Sequence, residues 1–313
     1  MKLKTEFPNE FYLEEDRTIK IDSEKKRLWA VLLDLLIEFD RVCKNNGIKY
    51  MIDGGTLLGA IRHGGFIPWD DDIDVIMMRD QYEKLNAIAN KEFAEPYFWQ
   101  TNITDPDHGR GYARLRNSTT TYIPRFEMDG KKPMFKHNQG ALIDIFICDN
   151  VPDSKRERSS FLRNLSKLHA QAWAFRMGGH TPLRLGLMFR LPELSRMLVY
   201  KFLALIAGVN ISQWLLKRLD SKARRYNGTV TEFVSHLTFS ADEGSRFCLL
   251  VPRYYFDALT EVEFEGHKFP ATMHWDEYLT LIYGNWRKHV VSSNTPGGIF
   301  VDLNRSYMEY IRV

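Results

Sequence analysis

Asp70, Asp72 and Asp74 alternate strictly just before an apolar run, and of all the residues in this chain they are the best placed to do chemistry. They close the stretch from residue 52 to 78, IDGGTLLGAIRHGGFIPWDDDIDVIMM. Strand side chains repeat every two residues, so the spacing predicts three carboxylates on one face and Ile73, Val75 and Met77 on the other. Like charges this close repel unless a cation lies between them, and hard oxygen ligands select Mg²⁺ or Mn²⁺. The alternative is a solvated acidic loop. The direct passage from Pro68-Trp69 through the acids into apolar residues favours the strand.

The element upstream suits a phosphate. Residues 48–53 (IKYMID) read as a strand, Gly54-Gly55 as a tight turn and residues 56–63 as a short helix. Two glycines allow close backbone approach, and a helix start offers unpaired N–H groups and partial positive charge to an anion. Gly54, Gly55 and the Thr56 hydroxyl would then cradle a diphosphate whose oxygens a metal bridges. A metal ion also needs a ligand from a separate element. The best candidate is Asp144 in GALIDIFICD (residues 140–149), an acid set tightly among β-formers. Its alternative role is a strand aspartate paired to an arginine, and Asp149 reads as a strand-end cap. Arg114 and Arg116 alternate on a further strand and are candidates either to clamp phosphate oxygens or to form surface salt bridges.

At these residues the chain resembles the LicD family, whose members transfer phosphocholine or similar groups and belong to the nucleotidyltransferase-fold superfamily. The matching blocks are YMIDGGTLLGAIRHGGFIPWDDDIDVIM, ARLRNSTTTYI (residues 113–123), NQGALIDIFICDNVP (residues 138–152) and FEGHKFPATMHWDEYLTLIYGNW (residues 264–286). The superfamily pattern of Gly-Gly, Asp-apolar-Asp and a later strand Asp falls on Gly54-Gly55, Asp72-Ile73-Asp74 and Asp144, with Asp70 in the family's longer acidic run. After the Tyr-Gly pair, RKHVVSSNTPGG departs from the family's Pro-rich end. The resemblance implies an α+β fold, a nucleotidyltransferase-like small mixed sheet with packed helices. It implies CDP-choline as donor, CMP as leaving group and a glycan hydroxyl as acceptor, on teichoic acid, lipopolysaccharide or capsule or on a lipid-linked precursor. CDP-glycerol or CDP-ribitol is the alternative donor. For a choline headgroup, Phe66 and Trp69 beside the acids are the nearest aromatic cage, with Tyr122 a weaker candidate.

Other classes explain less of the chain. A nucleotidyltransferase acting on RNA or a small molecule would use the same acids, but no RNA-binding signature is present and no nucleic-acid partner is expected. A nucleotide-sugar glycosyltransferase accounts for Asp-x-Asp but not for the Gly-Gly turn. A scaffold with a dead site does not account for three intact acids.

Composition bounds the rest. Of 313 residues, 44% are apolar and 13% aromatic, enough for a substantial core. Cys43, Cys148 and Cys248 are far apart and read as buried free thiols. The N-terminal segment has no apolar signal-like core, so a cytoplasmic protein is expected. The net charge of +3 hides an asymmetry, because residues 155–225 carry fifteen Lys/Arg against three acids and the remainder carries −9. Within that stretch Arg184, Arg190, Arg196 and Lys201 interleave with apolar residues. This suits either helices lying on an anionic membrane surface or a helical bundle packed on the catalytic part. The expected organisation is a catalytic core over 1–152, a basic, mainly helical insertion over 153–232, and an α/β segment over 233–313 that completes the fold. Helices are expected at 23–47, with Ser23 as N-cap, at 79–91 and at 274–284. Strands are expected near 97–100, 112–116, 120–123 and 141–147, with a short β segment near 247–270.

Overall fold

A computed structural model of the chain describes residues 1–16, 19–130, 132–178, 202, 210–239, 250–290 and 298–311. The apolar stripe near the N-terminus forms α1 (Ser23–Asn45), which buries Trp29, Leu32, Leu33, Leu36 and Phe39 completely. Its N-cap is Asp22, one residue before the expected Ser23, and the Asp22 side chain accepts a hydrogen bond from the Lys25 N–H at 2.8 Å. Asp and Ser cap equally well, so composition alone does not choose between neighbours.

The elements that follow build a mixed sheet. They are β1 (Met51–Ile52), α2 (Gly54–His63), β2 (Asp74–Met78), α3 (Arg79–Glu92), β3 (Tyr97–Gln100), β4 (Ala113–Asn117), β5 (Thr121–Pro124) and β6 (Ala141–Asn150). Strand β6 is the spine. It runs parallel to β2 from Asp144↔Asp74 to Cys148↔Met78, and antiparallel to β4 from Ala141↔Asn117 to Ile145↔Ala113. β1 flanks β2 and β3 flanks β4, both antiparallel. Ile143, Ile145, Val75, Ile76 and Leu115 are fully buried, and α1 and α3 pack on the sheet. The fold is α+β and nucleotidyltransferase-like, as expected.

Strand β2 starts at Asp74, four residues later than the alternation predicts, and residues 70–73 are irregular. The cause is pairing. β1 ends at Ile52, the Asp53 N–H reaches the Asp74 carbonyl at 3.0 Å, and the chain then turns into α2. On the other side the ladder to β6 begins only at Asp144, whose N–H reaches the Ile73 carbonyl at 3.0 Å. Residues 70–72 thus have no partner strand on either edge among the described residues.

The basic stretch contributes α4 (Lys155–Gly178) and α5 (Ile211–Ala223), which pack on each other around Phe161, Leu162, Leu165, Leu215, Leu216 and Leu219. Exposed Lys155, Arg156, Arg163 and Lys167 of α4 and Lys217, Arg218 and Lys222 of α5 carry the surplus charge in the described part. Arg184, Arg190, Arg196, Lys201 and Cys248 lie outside the described residues. Among the described residues no helix is long and apolar enough to cross a membrane. Cys43 and Cys148 are buried free thiols.

Arg79, at the first turn of α3, joins the helical pair to the sheet. Its guanidinium donates to both oxygens of fully buried Asp149, at 2.8 and 2.6 Å, and to Asp220 of α5 at 2.9 Å. Asp149 is therefore one half of a buried ion pair and not the strand-end cap expected. Removing one partner of such a pair strands the other charge. Arg79→Met is expected to lower unfolding free energy by about 3–5 kcal/mol, read from urea denaturation.

The C-terminal part adds β7 (Phe233–Ser235) and β8 (Val251–Pro252), which extend the sheet from the end of β6. A hairpin of β9 (Leu259–Phe264) and β10 (His267–Thr272) follows, then α6 (Trp275–Tyr283) and β11 (Ile299–Asp302) against β5.

Candidate active site

Adjacent parallel strands put residues in register side by side, so Asp74 at the start of β2 and Asp144 in β6 stand next to each other. The irregular segment before β2 holds Asp70, Asp71 and Asp72, each offering one carboxylate oxygen within 4.8 Å of the others. That tight trio differs from the triad of residues 72, 74 and 144 expected from sequence. It includes Asp71, which strict alternation assigns to the opposite face. The loop makes room for it, since three consecutive side chains can converge only where the backbone is not extended. The DDD run was the available signal.

Two hydrogen bonds hold this loop by its backbone. Trp29 Nε1 of α1 donates to the Asp70 carbonyl at 3.0 Å, and the Tyr122 hydroxyl of β5 donates to the Asp71 carbonyl at 3.0 Å. Thr56 Oγ1 accepts from the Asp74 N–H at 2.9 Å, which ties the start of β2 to the first turn of α2. The Thr56 hydroxyl, expected on the diphosphate, thus has a positioning contact.

Helix α2 starts at Gly54 itself, with Asp53 as an N-cap residue that makes no side-chain cap bond to the first turn. Gly54 has φ +52°, and a Cβ there would sit 3.1 Å from Asp74 Oδ2. A Cβ on Gly55 would lie 2.5 Å from Asp70 Oδ2. The two glycines therefore let the carboxylates of Asp74 and Asp70 lie against the helix start, where its partial positive charge favours them. Gly55→Ala is expected to displace the Asp70 carboxylate and cut turnover by about 10²-fold while the circular-dichroism spectrum stays unchanged.

The electrostatics are those of acids that outnumber the cations beside them, Lys25 and Arg114. Burial, then Asp71, pushes the Asp70 carboxyl up to about 6. Burial and the neighbouring acids raise Asp72 and Asp74 well above the usual carboxylate range, Asp144 acting on both. Asp70 and Asp72 share a hydrogen bond, which needs a proton between them. Lys25 faces Asp70 and Asp71, and burial lowers its own pKa. An all-carboxylate donor set whose members must share protons fits a hard divalent cation.

Arg114 Nε donates to Asp144 Oδ1 at 2.6 Å and Arg114 Nη2 to the Tyr112 hydroxyl at 3.2 Å. The arginine pairing read as an alternative for Asp144 is present, and it engages one of the two carboxylate oxygens. Arg116 is 2% exposed and donates to Gln100 Oε1 and, at 2.6 Å, to the Gly140 carbonyl. It faces the protein interior, which removes it from the phosphate clamp expected on this strand.

The aromatic cage expected beside the acids also changes. Phe66 is 2% exposed, stacked on Trp29 at 4.7 Å between ring centroids and edge-on to Phe264 at 4.8 Å. It is a core residue. Trp69 is half-buried and packs against the same core, and Tyr122 is buried under the Asp71 carbonyl.

Helix α6 supplies contacts that no local pattern announces. The buried Tyr278 hydroxyl donates to Asp53 Oδ1 at 2.6 Å, fixing the residue that opens α2. Tyr283 is 42% exposed, and its hydroxyl would lie 3.8 Å from a Cβ on Gly54. Burial and the carboxyls of Asp53, Asp74, Asp70 and Asp72 all raise its pKa. Tyr283 is thus an accessible aromatic ring at the mouth of the acid cluster.

The family model for LicD/FKTN/FKRP, nucleotidyltransferase domain, matches residues 47–171, which span β1 through most of α4. The lipopolysaccharide cholinephosphotransferase LicD of Haemophilus influenzae is 30% identical over 262 residues, 82% of this chain and 89% of that protein. The ribitol 5-phosphate transferase FKRP of Homo sapiens is 59% identical over 29 residues, 9% of this chain and 6% of that protein.

Proposed function

Because the chain belongs to the LicD family, we propose that it is a phosphotransferase that moves a phospho-alcohol group from a CDP-alcohol to a hydroxyl of a cell-surface glycan or its lipid-linked precursor. The Haemophilus relative is a cholinephosphotransferase and FKRP a ribitol 5-phosphate transferase, so phosphocholine is the first choice of group and ribitol phosphate or glycerol phosphate the alternative, each taken here as carried by its CDP-alcohol. The observation that carries this reading is the register of Asp144 with Asp74 beside the trio of Asp70, Asp71 and Asp72, all next to the start of α2.

In this reading Asp72, Asp74 and Asp144, with Asp70 beside them, would hold Mg²⁺ or Mn²⁺. The bound ion would neutralise charge building on the transferred phosphoryl group and its leaving oxygen. The chain's own work is positional. Asp53 makes no side-chain cap bond at the start of α2, so the N–H groups of Gly55 and Thr56 would be the ones to meet the diphosphate with the helix's positive end. Arg114 holds Asp144 in one orientation through Oδ1 and leaves Oδ2 for ligation. Trp29, Tyr122 and Thr56 fix the backbone from which the acids project, so little reorganisation is needed when substrate binds. Asp144 is also the candidate to take the proton of the acceptor hydroxyl.

Incubation with Mg²⁺ and a panel of CDP-choline, CDP-ribitol, CDP-glycerol and nucleoside triphosphates tests this. CMP release from one CDP-alcohol, faster with a glycan acceptor, is expected. Pyrophosphate release from triphosphates with no CMP release from any CDP-alcohol would overturn the proposal.

A further inference from the structure

Arg114, whose charge feels both Asp144 and Glu127, borders a second cluster in which positive side chains predominate among the described residues. Arg110 comes from the loop before β4, His137 from the loop before β6, and Arg176 from the last turns of α4. They gather around Glu127, the carboxylate that faces all three. Arg110 Nη2 meets Glu127 Oε1 at 2.7 Å, Arg176 Nη2 approaches the same oxygen at 3.5 Å, and His137 Nε2 is 3.9 Å from Oε2. Aromatic rings fix the planes, with Trp173 4.8 Å from the Arg110 guanidinium carbon and Phe135 3.9 Å from that of Arg176.

One carboxylate cannot satisfy this many donors. Arg110 Nε and Arg176 Nε are shielded from solvent and have no acceptor among the described residues. His137 Nδ1 is likewise buried without a partner, and His137 and Arg176 are 2% and 8% exposed. Arg176 Nη1 is engaged, by the Asp107 carbonyl at 2.9 Å and the His108 carbonyl, which orients the remaining edge of the guanidinium. Positive charge is in excess here. Burial, then Arg110 and Arg114, brings Arg176 down to about 10 against the pull of Glu127, and burial with Arg116 and Arg176 keeps His137 neutral. Donors left over on two guanidinium groups match an anion with several oxygens and a tetrahedral spread, since the arginine fork pairs with two phosphate oxygens at once.

We propose that Arg110 and Arg176, with His137 beside them, form a phosphate subsite that adjoins the acid cluster through Arg114. It rests on the reading of the chain as a phosphotransferase, and it assigns phosphate recognition to residues other than the Arg114 and Arg116 of the sequence expectation. The phosphate belongs either to the donor diphosphate or to a phosphorylated acceptor. It also makes α4 a wall of the substrate site, because Arg176 comes from that helix.

Inorganic phosphate titrated into the metal-free full chain, at constant ionic strength with chloride as control, is the test. Saturable binding with a rise in Tm is expected for the wild type and equally for Asp74→Asn, so the result stands apart from whether transfer is ever detected. Arg110→Gln is expected to bind phosphate about tenfold more weakly or less, and Arg110→Lys to fall between. Arg110 is the more exposed of the two arginines, so its variants serve if Arg176→Gln fails to fold. Competition between CMP and phosphate would assign the subsite to the donor, and additive binding would assign it to the acceptor. A wild type without saturable phosphate binding, or a folded Arg110→Gln with wild-type affinity, would overturn the subsite.

Discussion

Asp74→Asn is expected to reduce transfer by about 10³-fold or more and, without divalent cation, to make the protein more stable than the wild type. The first effect follows from losing a proposed metal ligand that faces Asp144 across the strand pair. The second follows from the acids themselves. Burial and neighbouring carboxylates raise Asp70, Asp72 and Asp74 above the unfolded value, so the folded state holds more protons than the unfolded state once the pH passes about 4. Stability from these groups is full below that pH and is lost as pH rises through their folded values. For Asp70, at about 6, the loss is about 3 kcal/mol. An amide at position 74 removes one repelling charge. The stability advantage of Asp74→Asn over wild type should therefore be absent near pH 4 and grow toward pH 7. Denaturant titrations across that range check it; an advantage that shrinks with rising pH would contradict this electrostatic picture.

Asp144→Asn should also abolish transfer but carry the opposite stability signature. Arg114 is 8% exposed and draws its charged partner from Asp144 at 2.6 Å. Neutralising that partner leaves a buried guanidinium uncompensated, at a cost of about 3 kcal/mol. Mg²⁺ should raise the Tm of the wild type, since ligand at about 100 times its Kd contributes about 2.7 kcal/mol, and both variants should lose most of that gain. Thermal unfolding of the three proteins with and without Mg²⁺ separates the roles. A full Mg²⁺ shift in Asp144→Asn would take Asp144 out of the cation site and leave it as the partner of Arg114.

The sequence made some features legible and hid others for identifiable reasons. That Asp144 belongs with the acids before β2 was readable because both runs are apolar with an acid at a defined place; the pairing of β2 with β6 and its register came only with the sheet. The start of β2 was not, because a strand begins where its partners begin, and β1 ends at Ile52. Asp71 was missed through the same assumption of extended backbone. Phe66 was read as a cage wall from its proximity to the acids in sequence. It is buried by Trp29 from α1 and Phe264 from β9, which no local pattern reveals. Arg116 alternates with Arg114 as expected, yet the Gly140 carbonyl and Gln100 claim it. The bond from Tyr278 to Asp53 spans 225 residues, and the meeting of Arg110, Glu127 and Arg176 likewise arises only in three dimensions.

The most direct test is to soak crystals with Mn²⁺ and CDP and locate the ion by anomalous scattering. One strong peak is expected at ligand distance from carboxylate oxygens of Asp74, Asp144 and at least one of Asp70 or Asp72, next to Gly54-Gly55. A fully occupied peak elsewhere, or none at these acids at saturating Mn²⁺, would contradict that site.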